Sequence, residues 1–231
     1  MMKKEQYIAL SKLFLYPKGD YQEDVATCLL LLEEQYPEIA PGFHRFSDFI
    51  AGSTPYEIEE IFGITFHIQA ICYLDIGYVL FGEDYSRGEF LLNMKKEQAN
   101  INHDCEPELA DNLPHVLQLL SISTDQELVE ELAVKVVIPA VEKMLEEFGN
   151  ERLRLRKKIN KRKQKVVIME DVVNGNIYQN AIQALLRVLK QDFEGVDFEA
   201  HKIEASTKGF EAAACGSCSF INNKTINTVR T

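Results

Sequence analysis

Residues 61–81, IFGITFHIQAICYLDIGYVLF, form a long apolar stretch whose only charged side chain is Asp75. At 3.6 residues per turn its apolar side chains cover every face of a helix, which predicts a helix that is buried all round. The length approaches the roughly 20 apolar residues of a membrane span. His67, Gln69 and Asp75 oppose that interpretation, because a charge at mid-bilayer costs at least ~2.5 kcal/mol. The pattern therefore predicts the central helix of a soluble helical domain and no membrane span.

Amphipathic helices are predicted on both sides of this stretch, and three of their starts carry the spacing of a capping box. The pairs are Asp20 with Glu23, Thr54 with Glu57, and Thr124 with Glu127. Asp111 is predicted to cap the helix that has Pro114 in its first turn, and Pro139 to kink the helix after it. A last amphipathic helix is predicted from residue 177 to 190, and only residues 166–169 suggest a strand. The predicted fold class is all-α, a single multi-helix domain around the buried central helix at about 61–81.

Charge is distributed unevenly along the 231 residues, whose formal net charge is -11. Nine of the 25 basic residues fall within residues 152–165, which leaves 16 basic residues against 36 acidic ones elsewhere. We therefore predict that residues 1–150 and 176–195 form one helical domain, that 151–175 are a basic insertion, and that 196–231 are a mobile C-terminal tail. An acidic surface repels nucleic acid and favours a basic peptide. The basic run has no aromatic residue to stack on nucleic-acid bases. Two interpretations of it stay open: a solvated extension, or a peripheral contact with a membrane surface or a partner protein.

The five cysteines allow a metal or redox interpretation. Cys215 and Cys218 have the spacing of half a zinc site or of a thiol pair, so a small metal-binding or thiol redox protein is the alternative function. A complete zinc site needs two more ligands, for which His103 and Cys105 have the best spacing. We expect unligated cysteines and no bound metal. The odd cysteine number and the absence of a signal segment after Met1 predict a cytoplasmic protein with reduced thiols. No nucleophile elbow, phosphate-binding glycine loop or helical metal-ligand pair is present, so we expect no enzyme.

Three stretches carry a resemblance to a known family. They are residues 10–17, LSKLFLYP; the segment from Glu60 through Tyr78, Leu80, Phe81, Gly82 and Glu83 to Arg87 and Gly88; and residues 108–114, ELADNLP. In this order and spacing the chain resembles the NarJ-type and TorD-like cytoplasmic chaperones that assist assembly of molybdenum-containing redox enzymes. Ala110 stands where that family usually has proline, and Asn112 where it has histidine. Since Asn112 cannot titrate, no pH switch is expected at this position.

The resemblance implies a function in the assembly of another protein. It implies that the chain binds the N-terminal peptide of a molybdoenzyme catalytic subunit, of the nitrate or dimethylsulfoxide reductase type, and holds that subunit until its molybdenum cofactor is inserted. The client carries this cofactor, and we expect the chaperone to bind none stably. Which reductase is the client, and whether the chaperone is a monomer or a dimer, stay open.

The residues themselves agree with a peptide site, because a leader-like peptide needs an apolar groove with an acidic rim. Acidic side chains, among them Glu83, Asp84 and Glu106, occupy the turns beside the aromatic stretch. The predicted peptide-binding residues are Phe66, Tyr73, Asp75, Tyr78, Phe81, Arg87, Glu108, Asp111, Asn112 and Leu113. Some of them have a plainer alternative: core packing for the aromatic residues, a buried hydrogen bond or ion pair for Asp75, for instance with Arg87, and the helix cap for Asp111.

Overall fold

Helices make up the regular structure of the computed structural model, which describes residues 4–68, 70–149 and 177–196. They are α1 (Glu5–Lys12), α2 (Tyr21–Gln35), α3 (Ala40–Gly52), α4 (Pro55–Phe66), α5 (Ile76–Phe81), α6 (Tyr85–Asn100), α7 (Leu113–Ile122), α8 (Gln126–Leu132), α9 (Ile138–Glu147) and α10 (Ile177–Asp192). A π-helical turn, Ala133–Val137, joins α8 to α9. The described ranges contain no strand, and Asp75 and Asn112 form an isolated antiparallel bridge. The predicted all-α, single-domain class is confirmed.

The predicted central helix is wrong as a single element. Helix α4 ends at Phe66, α5 begins at Ile76, and the described residues between them, 67, 68 and 70–75, belong to a loop. The carbonyl of Thr65 accepts hydrogen bonds from the backbone N–H groups of Ile71 (2.8 Å) and Cys72 (3.2 Å), which reverses the chain. The loop still buries Ala70, Ile71, Cys72 and Leu74, whereas Ile68 is 75% exposed. An all-round apolar pattern therefore reflects a buried loop here as well as buried helix faces.

The helical core closes around Tyr178 of α10. Its ring lies 4.9 Å from that of Phe66, 5.0 Å from Phe46 and 5.8 Å from Phe62, measured between centroids. The Tyr178 hydroxyl also lies 2.9 Å from the hydroxyl of Tyr21, which donates to the Leu13 carbonyl. Helix α10 packs on α3 and α9, while α1 packs on α2 and α7. The predicted last helix is thus confirmed, and it belongs to the common core.

The helix starts follow the predictions unevenly. At Thr54 the capping box is complete: the Thr54 N–H donates to Glu57 Oε2 (2.8 Å), and the Thr54 hydroxyl accepts from the Glu57 N–H (3.4 Å). Asp20 precedes α2 but makes no side-chain cap bond. Before α8, Asp125 is the N-cap and accepts from the Leu128 N–H at 3.1 Å, so the box predicted at Thr124 is wrong.

Two predictions concern helices that contain proline: the cap at Asp111, and the kink at Pro139, which stays a prediction. Helix α7 begins at Leu113 with Asn112 at the N-cap position, so the predicted cap at Asp111 is wrong. Pro139 lies in the first turn of α9, directly after the π-helical turn. Since proline has no N–H to donate to the preceding turn, a local widening of the helix accommodates it.

Several predictions concern residues outside the described ranges. These are the basic insertion at 151–175 with its run at 152–165, the short strand at 166–169, and the tail with Cys215 and Cys218. Among the helices that the structure describes, none combines the length and the apolar character needed to cross a membrane.

Candidate functional site

Three chain segments that are distant in sequence meet beside α5. Asp75 immediately precedes α5, Arg87 lies in the first turn of α6, and Asp111 and Asn112 precede α7. The backbone joins two of the segments: the Ile76 N–H donates to the Asp111 carbonyl (3.0 Å), and the Leu113 N–H donates to the Leu74 carbonyl (2.8 Å). This pairing fixes the loop before α7 against the start of α5. We call Asp75, Tyr78, Arg87, Asp111 and Asn112 the Arg87 site.

Arg87 connects the two carboxylates of the site. Its Nη2 lies 3.5 Å from Asp75 Oδ2, and its Nε lies 3.4 Å from Asp111 Oδ2. Its guanidinium also stands over the Tyr78 ring, 5.3 Å from the centroid, where the ring quadrupole attracts the cation. Asn112 donates from Nδ2 to Asp75 Oδ1 at 3.2 Å. With both carboxylates ionised, two negative charges are offset by one positive charge, and the site is net negative.

Asp111 is the buried member of the site. Its side chain is 0% exposed, and its Oδ1 has no hydrogen-bond partner among the described residues. Burial raises the pKa of the Asp111 carboxyl, the charge of Asp75 adds to that rise, and Arg87 opposes it. A buried carboxylate needs a counter-charge, because desolvation penalises the ionised form. Arg87 therefore holds Asp111 in place, and Asp111 in turn orients Arg87.

Gly77 makes this close packing possible. A Cβ at Gly77 would lie 2.6 Å from Asp111 Oδ2 and 2.8 Å from Cδ1 of Phe90. Real Cβ atoms essentially never have contacts this short, so the carboxylate and the ring would have to move. The glycine in the Ile-Gly-Tyr sequence at the start of α5 is thus required by the approach of the Asp111 side chain.

Part of the Arg87 site is open to solvent. The side chain of Asp75 is 32% exposed and that of Arg87 21% exposed. Tyr73 is 44% exposed, and its ring meets the Tyr78 ring edge-on at 4.9 Å. A cationic side chain can reach Asp75, and an apolar side chain can reach the exposed ring of Tyr73.

The other predicted site residues have different surroundings. Phe81 packs against Phe90 at 5.7 Å, and Leu113 is fully buried beside the Arg87 site. Phe66 packs in the core with Tyr178, as described above, so its plainer alternative is the better interpretation. Glu108 is exposed in the loop between α6 and α7, where its backbone N–H donates to the Cys105 carbonyl (2.8 Å).

Sequence reasoning missed part of what this loop brings together. The ion pair of Asp75 with Arg87 was one of the predicted alternatives, but the pair of Arg87 with Asp111 was hidden by the assignment of Asp111 as a helix cap. His115, on the first turn of α7, was also missed as a neighbour of His103 and Cys105. The sequence signal that could have identified it is a histidine 12 positions after His103, on the far side of a predicted loop.

Burial alters the titration of these three residues. It lowers the pKa of His103, an effect that the charge of Asp104 opposes. It also lowers the pKa of His115, with the neighbouring His103 adding to the decrease and Asp104 opposing it. Burial and then the charge of Asp104 raise the pKa of the Cys105 thiol to about 11. All three groups are therefore neutral near pH 7.

Comparison with known proteins leaves the family open. A scan against models of protein families finds none that matches the chain, and a search of curated proteins finds no match.

Proposed function

We propose that this protein is a cytoplasmic assembly chaperone that binds the N-terminal peptide of a molybdoenzyme catalytic subunit. The client is a reductase of the nitrate or dimethylsulfoxide type, which the chaperone holds until its molybdenum cofactor is inserted. The proposal derives from the resemblance of three sequence stretches, and one structural observation supports it best. Residues from two of these stretches, Tyr78 and Arg87 from one, Asp111 and Asn112 from another, meet in the Arg87 site.

The chemistry of the site suits the basic, amphipathic peptides that such chaperones bind. Asp75 is the accessible carboxylate, and its negative charge is only partly neutralised by Arg87 at 3.5 Å. A cationic side chain of the peptide therefore binds at Asp75. Asp111, which solvent does not reach, positions Arg87 from the buried side of the site. Tyr73 provides an exposed aromatic surface beside the charges. The combination matches an amphipathic helix that presents a basic residue next to an apolar one.

The first experiment identifies the client. The tagged full-length chain is purified from its native cells, and the associated proteins are identified by mass spectrometry. We expect a molybdoenzyme large subunit, and we expect deletion of its N-terminal segment to abolish the association. Recovery of no such subunit, or of one that stays bound without its N-terminal segment, would contradict the proposal.

The second experiment tests the site with a synthetic peptide of that N-terminal segment. Asp75→Asn removes the accessible charge, and we expect its affinity to fall about 5-fold, equivalent to the ~1 kcal/mol of an exposed charge pair. Asp48→Asn, which makes the same change at an exposed position of α3, is the matched control and should bind as the unmodified chain does. The affinity of the unmodified chain for the peptide should decrease as salt is added, because charge interactions are screened beyond roughly 8 Å. Part of the affinity should remain at high salt, because salt does not weaken apolar contacts. Equal affinities of the two variants would exclude Asp75 from the peptide site.

A further inference from the structure

A second cluster of side chains lies where the loop between α6 and α7 meets the first turn of α7, apart from the contacts of the Arg87 site. His103 Nε2 and His115 Nδ1 are 2.9 Å apart, and one ring nitrogen of each histidine lies within 4.8 Å of Cys105 Sγ. All three side chains are partly buried. Two imidazoles and a thiol that converge from a loop and a helix start are a ligand set that borderline-soft metal ions prefer.

We propose that His103, Cys105 and His115 bind one Zn²⁺ ion, with a water molecule completing the coordination. In a tetrahedral zinc site, Zn–N distances of about 2.0–2.1 Å and a Zn–S distance of about 2.3 Å place the ligand atoms roughly 3.3–3.6 Å apart. The present separations, from 2.9 Å to at most 4.8 Å, bracket that range. Side-chain rotations that move the ligand atoms by about 1 Å are enough to reach this range.

The surroundings hold the ligands at this spacing. Gln98, a buried residue of α6, donates from Nε2 to the Ala110 carbonyl at 2.8 Å, and its backbone carbonyl accepts from the His103 N–H at 2.9 Å. Its Oε1 accepts the Cys105 thiol hydrogen at 2.6 Å. In the metal-free chain one buried amide thus connects the two ends of the loop and holds the thiol. The thiol hydrogen bond is lost when the sulfur ionises to bind zinc, whereas the bonds that Gln98 makes with the Ala110 carbonyl and the His103 N–H remain.

Binding follows a simple proton balance. The Cys105 thiol loses its proton to solvent and binds zinc as a thiolate, so one proton is released for each ion bound. The hydrogen bond between His103 and His115 breaks, and the imidazole that donated it exchanges that proton to its other ring nitrogen through solvent. Both imidazoles then donate a nitrogen lone pair as neutral ligands. Asp104, whose charge acts on all three groups, favours the cation.

The inference is independent of the chaperone proposal, and zinc binding to the full-length chain tests it. Because Cys215 and Cys218 are also potential ligands, the parent for all measurements is the full-length double variant Cys215→Ser/Cys218→Ser. Its zinc affinity is measured under reducing conditions by competition with a chromophoric chelator. We expect one ion per chain, and Co²⁺ should give the d–d absorption of a tetrahedral site together with a thiolate-to-cobalt charge-transfer band. A parent that binds no zinc would overturn the proposal.

Single substitutions in this parent identify the ligands. Cys105→Ser and His115→Gln should each weaken zinc binding by more than the roughly 10–100-fold that loss of an outer hydrogen-bond partner costs. Cys105→Ser should also remove the charge-transfer band with Co²⁺. His44→Gln is the matched control, since His44 is a histidine of α3 whose side chain is 45% exposed and contacts Glu33. Unchanged affinity in His115→Gln, or an equal loss in His44→Gln, would overturn the assignment.

A folding control keeps the result interpretable. Circular dichroism of each variant without metal separates loss of a ligand from loss of the fold. Zinc should raise the melting temperature of the parent and of His44→Gln, because an ion that binds only the folded chain stabilises it. It should leave that of His115→Gln and of His103→Gln unchanged. If one variant does not fold, the other two carry the test.

Discussion

Replacing Arg87 by methionine tests whether the Arg87 site is built around the buried carboxylate of Asp111. The change keeps a long side chain over Tyr78 but leaves Asp111 without its counter-charge. Removing one partner of a buried ion pair costs about 3–5 kcal/mol. Here the Arg87 side chain is 21% exposed and its Nε lies 3.4 Å from Asp111 Oδ2, which is a long contact. We therefore expect a loss of about 2–3 kcal/mol in the free energy of unfolding at pH 7.

A double-mutant cycle separates this charge effect from lost packing. Asp111→Asn keeps the shape of the side chain and removes its charge, so it should change stability by less than about 1 kcal/mol. In that background Arg87→Met no longer leaves an unpaired buried charge, and its cost should fall below about 1 kcal/mol. The expected coupling energy is about 2 kcal/mol, within the range of residues in direct contact.

The pH dependence provides an independent readout. Burial raises the pKa of Asp111 above its ordinary value of 3.8, and loss of Arg87 raises it further. The folded state then holds the Asp111 proton more tightly than the unfolded chain does. The stability contributed by the neutral carboxyl is therefore complete below the ordinary pKa, and it is lost as the pH rises through the pKa of the folded state. The difference between Arg87→Met and the unmodified chain should be smaller at pH 4.5 than at pH 7. In the Asp111→Asn background it should not change with pH.

Urea unfolding followed by far-ultraviolet circular dichroism measures all four chains at both pH values. The midpoints give the stability differences, provided that the slopes with urea are equal. The same loss from Arg87→Met with and without Asp111, at both pH values, would refute the account of Asp111 as a buried charge held by Arg87. Such a result would leave the packing of Arg87 on Tyr78 as its main contribution.

Three further predictions concern the packing of the fold and are measured by the same urea unfolding. Gly77→Ala should destabilise the fold by several kcal/mol, because the new Cβ would lie 2.6 Å from Asp111 Oδ2. Gly63→Ala, inside α4, should stabilise the fold by up to about 1 kcal/mol, because nothing lies within 4 Å of its Cβ. Equal effects would contradict the steric argument. Thr54→Ala should lower the free energy of unfolding by about 1 kcal/mol, because it removes a complete capping box. Thr124→Ala should lower it by less than about 0.5 kcal/mol, because Asp125 is the cap before α8. A larger loss at Thr124 would contradict this assignment. Asp192→Ala should cost about 2–4 kcal/mol, since its carboxylate accepts hydrogen bonds from Gln6, Tyr7 and Tyr36, and the exposed Glu194→Ala should be nearly neutral.

Local sequence patterns predicted the helices whose signals are independent of tertiary contacts. Thr54 followed by proline and glutamate contains all the groups of a capping box within four residues, so its structure follows from the chain alone. At residues 124 and 125 the sequence offers two candidate caps, Thr124 and Asp125. Only the direction in which the chain enters α8 decides between them, and that direction depends on the packing of α7 and α8.

The break between α4 and α5 could not be read from periodicity, because every residue type in it also suits a buried helix. Thr65, Ile68 and Ile71 are β-branched, which lowers helix propensity only slightly. What ends the helix is the set of partners that the loop finds. The Thr65 carbonyl binds two loop N–H groups, and Ile76 and Leu113 complete the backbone pairing with the segment before α7. The bonds of Ile76 with Asp111 and of Leu113 with Leu74 link residues more than 30 positions apart, so they follow from the fold and not from the local sequence.

The same dependence on tertiary structure explains Asp111. Three residues before Pro114, an aspartate is a reasonable helix cap by sequence, and Asn112 occupies that position instead. Asp111 faces inward because Gly77 leaves room for its carboxylate and Arg87 supplies the charge. Each of these conditions comes from a different element. Sequence reasoning named Asp75, Arg87 and Asp111 as candidates, but the pairing of Arg87 with Asp111 required the structure.

Asn112 shows how the departure from the resembling chaperones affects the chemistry of the site. Those chaperones usually have histidine here, and a protonated imidazole beside Asp75 would reduce the negative charge that a basic peptide meets. The Asn112 amide donates to Asp75 Oδ1 at 3.2 Å without carrying a charge at any pH. The Asp75 carboxylate that solvent reaches therefore keeps a neutral partner on one side and the permanent charge of Arg87 on the other. Under the proposed function, we therefore expect binding of a basic peptide at Asp75 to depend on salt and on the charge of the peptide, with no titrating group at position 112.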